Sequence, residues 1–429
     1  MIVQKYIVGG TSVNIAESVE SAVSSGRIAA GSMLPPVRGL AAQLQVSPAT
    51  VAAAYRLLKE RGVVVPDGRR GTRVRSAPPL AVPSDVALPE GVRDLSAGNP
   101  DPELLPRLPR IDLEQRLYGD EVNDPELLEL AREQFRGDGI DASHVAIVSG
   151  ALDGIERVLR EHLRAGDRVA VEDPSFTGVL DLLNALSLVA VPVPMDDAGL
   201  LPNELKKAIR SCEAVIITPR AQNPTGAALT PRRARELRAV LAARPNVVVI
   251  EDDHAGPAAG ADYVSVLDKS RTKWAVVRSV SKWLGPDLRV AVLACDARTH
   301  SRVQGRQTLG VRWVSHILQR IVVGIWRDRV TQRAGRVYTE RRDALLHALS
   351  ERGIAAHGAS GLNVWIPVPE ESATVQALVQ RGWAVKAGER YRIASPPAIR
   401  VTIATLEPRD AVQFANDLAD VMRPRSSGV

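Results

Sequence analysis

The chain has 429 residues, 45% apolar and 24% charged, which is too long for one compact domain and ordinary for globular cores. Aromatics are only 3%, so those cores must be aliphatic. No uncharged apolar run reaches the roughly 18 residues of a membrane span. Residues 1–10 lack the apolar segment of a signal peptide. Two cysteines, Cys212 and Cys295, exclude a disulfide framework, and no Cys/His cluster has zinc spacing. A cytoplasmic protein without membrane or metal partner is expected.

Charge is unevenly placed. Residues 1–75 hold ten Lys/Arg against four acids, while the remaining residues carry 45 of each sign. A basic head on a neutral body suits a polyanionic partner. Within the head, Ile15, Val19, Ala22 and Val23 recur at helical spacing over 14–25. Pro36 opens a second short segment with Val37, Leu40, Ala41 and Leu44 on one face. Ser47-Pro48 then supplies an N-cap and a proline at the first helical position. The following helix buries Val51, Ala54, Tyr55 and Leu58 and stops at Gly62. Strands around Val63–Val65 and Arg73–Val74 flank a hairpin tip bearing Arg69 and Arg70.

Two short helices, a tight turn and a basic hairpin make a winged helix-turn-helix, whose second helix can enter a major groove. The string LPPVRGLAAQLQVSPATVAAAYRLLKERG resembles the GntR family of bacterial regulators over about residues 12–75. That resemblance implies contact with double-stranded operator DNA through Arg38, Ser47, Thr50 and the wing residues Arg69 and Arg70. Pro48 stands where the family often has Arg, which removes one backbone contact.

Residues 76–92 include Pro78, Pro79, Pro83 and Pro89 and read as a semi-rigid linker. From 93 to about 425 strands and helices alternate. Strands are predicted at His144–Val148, Arg168–Val171, Leu188–Val193, Ala214–Thr218, Val247–Ile250, Trp274–Val277 and Arg289–Ala294. Helices are predicted at Leu152–Leu163, Val179–Leu186, Pro202–Ile209 and Pro231–Ala243. The pattern predicts an α/β body with a mostly parallel sheet covered on both faces, and ligands at its C-terminal strand ends.

Three strings fall at such ends: PRAQNPTG, EDDH and RSVSK. Asn223 lies 29 residues before Asp252, which lies 30 before Lys282. Each interval fits about one strand-and-helix repeat, so the three residues should share one sheet edge. Taken together they resemble the fold-type I pyridoxal phosphate (PLP) enzymes of the aspartate aminotransferase superfamily, over about residues 93–425.

The resemblance implies a role for each residue. Lys282 matches the Schiff-base lysine, Asp252 the carboxylate at the pyridine nitrogen, and Asn223 the amide at the ring hydroxyl. Ser149, Gly150 and Ala151 open a helix after a strand and, with Ser279 and Arg289, match a phosphate cradle. Phe176 matches the stacking aromatic, and Arg400 an arginine that clamps a carboxylate. Tyr118 matches a tyrosine that reaches the phosphate of a neighbouring subunit, which implies a homodimer. His254 stands where the family usually has a tyrosine donating to the ring oxygen, and Asn123 replaces a glycine common after Tyr118.

Head, linker and body together resemble the MocR subfamily of GntR regulators. The strings ITPRAQNPTG, EDDH and SVSKWLGPDLRV resemble its PtsJ-like branch, linked to vitamin B6 metabolism. The implied function is transcriptional regulation in which PLP, or an amine or vitamer effector, shifts the heads relative to operator half-sites. Two other classes stay open on these residues: an active aminotransferase carrying a DNA-binding head, and a regulator that uses no cofactor.

Overall fold

A computed structural model describes residues 3–25, 27–29, 31–60, 63–66, 71–74, 88–110, 115–327 and 332–423. They form two compact units.

In the head, α1 (Ser12–Ser24), α2 (Val37–Leu44) and α3 (Pro48–Glu60) precede a hairpin of β1 (Val64–Pro66) and β2 (Thr72–Val74). Thr11 caps α1 by accepting from the Asn14 amide. Pro36, the predicted start, is the N-cap of α2, whose first helical residue is Val37. The core gathers Ile15, Val19, Leu40, Val51, Ala54 and Leu58, and the antiparallel register Val64↔Val74 adds both valines to it. Arg69 and Arg70 lie outside the described residues.

The body opens with β3 (Arg93–Asp94). Its main sheet has the order β4-β11-β10-β9-β8-β5-β6-β7. These strands are β4 (Val145–Val148), β5 (Arg168–Asp173), β6 (Val189–Asp196), β7 (Gly199–Leu200), β8 (Ala214–Ile217), β9 (Val248–Asp253), β10 (Trp274–Ser279) and β11 (Ala291–Cys295). Helices α4 (Pro125–Gly137), α5 (Ala151–His162), α6 (Thr177–Ala185), α7 (Pro202–Ala208), α8 (Pro231–Ala242), α9 (Ala297–Leu309) and α10 (His316–Arg327) fill the remaining sequence around it. A three-stranded sheet of β12 (Asn363–Pro367), β14 (Lys386–Ala387) and β15 (Ala398–Thr402) makes the smaller C-terminal part. With it go α11 (Gln332–Ser350), α12 (Glu371–Val379), β13 (Trp383–Ala384) and α13 (Pro408–Met422).

Strands β5, β8, β9 and β10 run parallel, while β11 is antiparallel to both β10 and β4. That reversal follows from the short loop joining β10 to β11, too short for a helical crossover. It also brings the start of β11 to the same edge as the ends of β4, β5, β8, β9 and β10. One expectation needs correction: no α-helix lies between Asp252 and Lys282. A 3-10 turn at Gly256–Ala259 and an irregular segment make that crossover instead.

Candidate functional site

On the head, the chain turns between α2 and α3 through Gln45 in the left-handed region (φ 54°). Ser47 Oγ accepts from the Thr50 amide at 3.1 Å and lies 2.8 Å from Thr50 Oγ1, so the N-terminus of α3 is capped. Tyr55 donates its hydroxyl to the Pro35 carbonyl at 2.7 Å, which fixes the approach to α2 against α3. Arg38, Ser47 and Pro48 are exposed and Thr50 is half-buried. Side chains at this helix start are thus free to meet an outside surface.

In the body, the strand ends converge as their order requires. Gly150 follows β4 at φ +101°, where an added Cβ would lie 2.8 Å from an Arg289 nitrogen. Arg289 precedes β11, and its register partner region ends β4, so the two meet at the start of α5. The Ser149 amide donates to Asp153, and Ala151 begins the helix. Ser279 is buried and donates to Ser281 Oγ at 3.1 Å, so its hydroxyl is engaged within its own loop. Phe176 sits half-buried at the head of α6.

Lys282 donates from Nζ to the Gly98 carbonyl at 2.6 Å. Burial, with Arg400 nearby, pulls its pKa down to about 8. Asp252 is buried, and its Oδ1 has no hydrogen-bond partner among the described residues. Burial first, then the charges of Asp253 and Glu172, push its pKa up to about 7. His254 is held neutral, with a pKa lowered to about 4 by burial and by Lys282. Arg400 is buried on β15, donates to Asn223 Oδ1 at 3.1 Å and to the Ser96 carbonyl, and keeps an unpartnered Nε. Gly98, at φ +70°, leaves room for it: a Cβ there would stand 3.1 Å from Arg400 Nη2. Tyr118 is apart from this cluster, 79% exposed, with its ring edge-on to Trp313 and beneath Arg312.

These residues fit PLP. Asp252 is a buried carboxylate short of a cationic partner, Lys282 an amine easily made neutral, and Gly150 with Arg289 an opening beside a cation. Asn223 and His254 have the donors that a ring oxygen would accept from.

Comparison with known proteins accords with this arrangement. Residues 94–418 match the aminotransferase class I and II family, and residues 11–74 the bacterial gntR regulatory family. The chain is 40% identical to the vitamin B6 salvage pathway transcriptional repressor PtsJ of Salmonella typhimurium strain LT2, over 96% of this chain and 98% of that one. The chain belongs to the MocR subfamily of GntR transcription regulators. This MocR chain also shares 28% identity over 56% of its length with the pyridoxine biosynthesis regulator PdxR of Corynebacterium glutamicum, covering 55% of it. A Staphylococcus aureus aminotransferase structure has a TM-score of 0.69 at 19% identity, over 80% of this chain and 97% of that one. Likeness at that identity establishes the fold of the MocR body.

Sequence reasoning missed the residues that hold the site in place. Arg220 forks onto Asp253 at 2.8 and 2.9 Å, and Arg278 reaches the same carboxylate at 2.6 Å. Burial opposes ionisation of Asp253, yet Arg278 and Arg220 hold its pKa far below the usual range. Glu172 accepts from the Thr218 amide and hydroxyl and from Gln222, while Ser360 accepts from the Ala221 amide at 2.7 Å. The loop carrying Asn223 is thereby pinned on two sides. The available signal was a lone arginine in the apolar run WAVVRS and a strand ending in three acids, since buried charge demands partners.

Proposed function

We propose that the chain binds PLP in its body and operator DNA with its head, and that occupancy of the first adjusts the second. The single observation that carries the cofactor reading is Asp252 Oδ1, buried and unpartnered at the strand edge that holds Lys282. Bound there, the cofactor supplies an aldehyde for the lysine and an electron-withdrawing ring. Asp252 would sit at the ring nitrogen, Asn223 and His254 at the ring oxygen, and Phe176 over the ring. Ser149, Gly150, Ala151, Ser279 and Arg289 would hold the phosphate, with Tyr118 completing the neighbour's site in a homodimer. Lys282, with its pKa lowered to about 8 by burial and Arg400, gives up its proton more readily than an exposed lysine. Arg400 would take the carboxylate of an amine effector. The relatives named for vitamin B6 salvage and pyridoxine biosynthesis support a vitamer or amine as the sensed ligand and B6 metabolism as the regulated process. The work would be done in the cytoplasm, where the operator lies.

Operator reading is assigned to Arg38 on α2 and to Ser47, Pro48 and Thr50 at the start of α3, with Arg69 and Arg70 on the wing. The domain limits proposed are 1–75 for the head, 76–92 for the linker and 93–425 for the body.

The test is a visible absorbance spectrum of the full chain with PLP, followed by borohydride and peptide mapping. Label is expected on Lys282, and Lys282→Ala should abolish both the band and the label. A persistent band in that variant overturns the assignment. The second reading, turnover, is favoured by the unpartnered Arg400 Nε beside the lysine. Consumption of amino donors with oxo acids would support it.

A further inference from the structure

The body is neutral as a whole, yet one of its surfaces is strongly basic. Residues 202–244 carry nine Lys/Arg against three acids. Of the nine, Arg220 is buried on Asp253. Most of the others point outward because α7 and α8 share an apolar underside: Leu205, Ile209, Ala234, Leu237 and Leu241 are all buried in one cluster. That packing leaves Lys206, Lys207, Arg210, Arg232, Arg235 and Arg244 exposed. The ends of the two elements are tied together, since Arg244 donates from Nη2 to the Arg210 carbonyl at 3.2 Å. Two carboxylates answer part of this charge. Glu204 pairs with Lys207 at 2.6 Å and Glu236 with Arg232 at 3.0 Å. Both are solvent-exposed pairs of a kind worth at most about 1 kcal/mol, so a phosphate can replace either acid at little cost.

We propose that the outward face of α7 and α8 is a second DNA-binding surface, which engages the backbone of duplex flanking the operator. This rests on the regulator reading above. The chemistry selects the partner. The exposed groups are flexible cations and residues 202–244 contain no aromatic, which suits sequence-independent phosphate contact rather than base readout or single-strand stacking. Flanking duplex is moreover already delivered, because a body tethered to a bound head meets adjacent DNA at high effective concentration. Individually weak contacts then become useful. The surface would add affinity and salt dependence without adding sequence specificity.

The experiment uses the full chain loaded with PLP and two duplexes. One carries only an operator selected from random sequence; the other carries the same operator extended by about 20 base pairs of unrelated sequence on each side. At about 0.1 M salt the longer duplex is expected to bind at least tenfold tighter, with a salt slope steeper by about 0.9 for each added phosphate contact. Lys206→Glu/Lys207→Glu/Arg232→Glu/Arg235→Glu should bind the short duplex like the unmodified chain and lose the gain from length. Should that variant fail to fold, Lys206→Ala/Arg235→Ala, which leaves both acid pairs intact, should lose a measurable part of the gain. Arg298→Glu/Arg306→Glu removes exposed cations from α9 and should keep all of it. Equal affinity for both duplexes, a full length gain in the α7–α8 variants, or an equal loss in the α9 variant overturns the proposal. Failure of the unmodified chain to bind the short duplex would overturn the regulator reading itself, and this surface with it.

Discussion

Asp252 illustrates how one residue can be unfavourable alone and useful in company. An acid whose folded-state pKa is raised weakens the fold as pH climbs, because the unfolded chain ionises first. With Asp252 and Glu172 both pushed up to about 7, the cofactor-free protein should lose stability from about pH 4 to pH 7. Asp252→Asn should therefore raise the urea midpoint of the cofactor-free chain at pH 8 and change it much less at pH 5. A uniform effect across that range would contradict the burial argument. The same substitution should weaken PLP binding, since the carboxylate that penalises the empty site is the one that a ring cation would neutralise. His254 titrates in the opposite sense. Its pKa of about 4 means it is neutral over the upper part of this window, available there as a single N–H donor beside Lys282.

At the scale of an element, the start of α3 has an observed cap and a proposed contact with DNA. Ser47 Oγ caps the helix, and the same exposed residue lies where DNA would arrive. Ser47→Ala should lower head stability by about 1 kcal/mol, the usual loss of a cap. Ser47→Asp keeps an acceptor for the Thr50 amide but turns a carboxylate toward phosphate. It should preserve the thermal transition of the full chain and weaken operator binding more than Ser47→Ala does. If both variants track stability alone, Ser47 is a cap and nothing else. A comparable division holds in the body. Strands β8, β9 and β10 deliver Asn223, Asp252 and Lys282, while the buried Arg220–Asp253–Arg278 group fixes how those strand ends sit against each other. Removing one partner of such a group leaves buried charge unpaired and costs about 3–5 kcal/mol.

For the whole molecule, the apolar surface near Tyr118 argues for assembly. Leu117, Tyr118, Leu309, Val311 and Ile317 are all exposed, Leu309 by 83%. Exposed apolar side chains of this size suit burial against a second subunit. The full chain should sediment as a dimer at micromolar concentration. Leu309→Asp/Val311→Asp should shift it toward monomer and lower its affinity for PLP, because a neighbour's tyrosine would then be missing from the phosphate site. A dimer that survives both substitutions would place the interface elsewhere.

Local chemistry was legible in the sequence wherever a residue acts through its neighbours in the chain. Ser47-Pro48 announced α3, and periodicity located α5, α7 and α8 to within about two residues; most of the proline-rich stretch 76–92 lies outside the described residues. The candidate site was legible for the same reason: Asn223, Asp252 and Lys282 each lie at or shortly after the end of a recognisable strand. What the one-dimensional pattern does not encode is pairing direction and the partners of buried charge. A Val-rich strand reads the same whether its neighbour runs parallel or antiparallel, so the reversal of β11, and with it the meeting of Arg289 and Gly150, needed the tertiary structure. The run Glu251-Asp252-Asp253 reads as three equivalent acids. Only the fold, by alternating side chains across a sheet buried on both faces, gives Asp253 to two arginines and leaves Asp252 Oδ1 with no hydrogen-bond partner among the described residues.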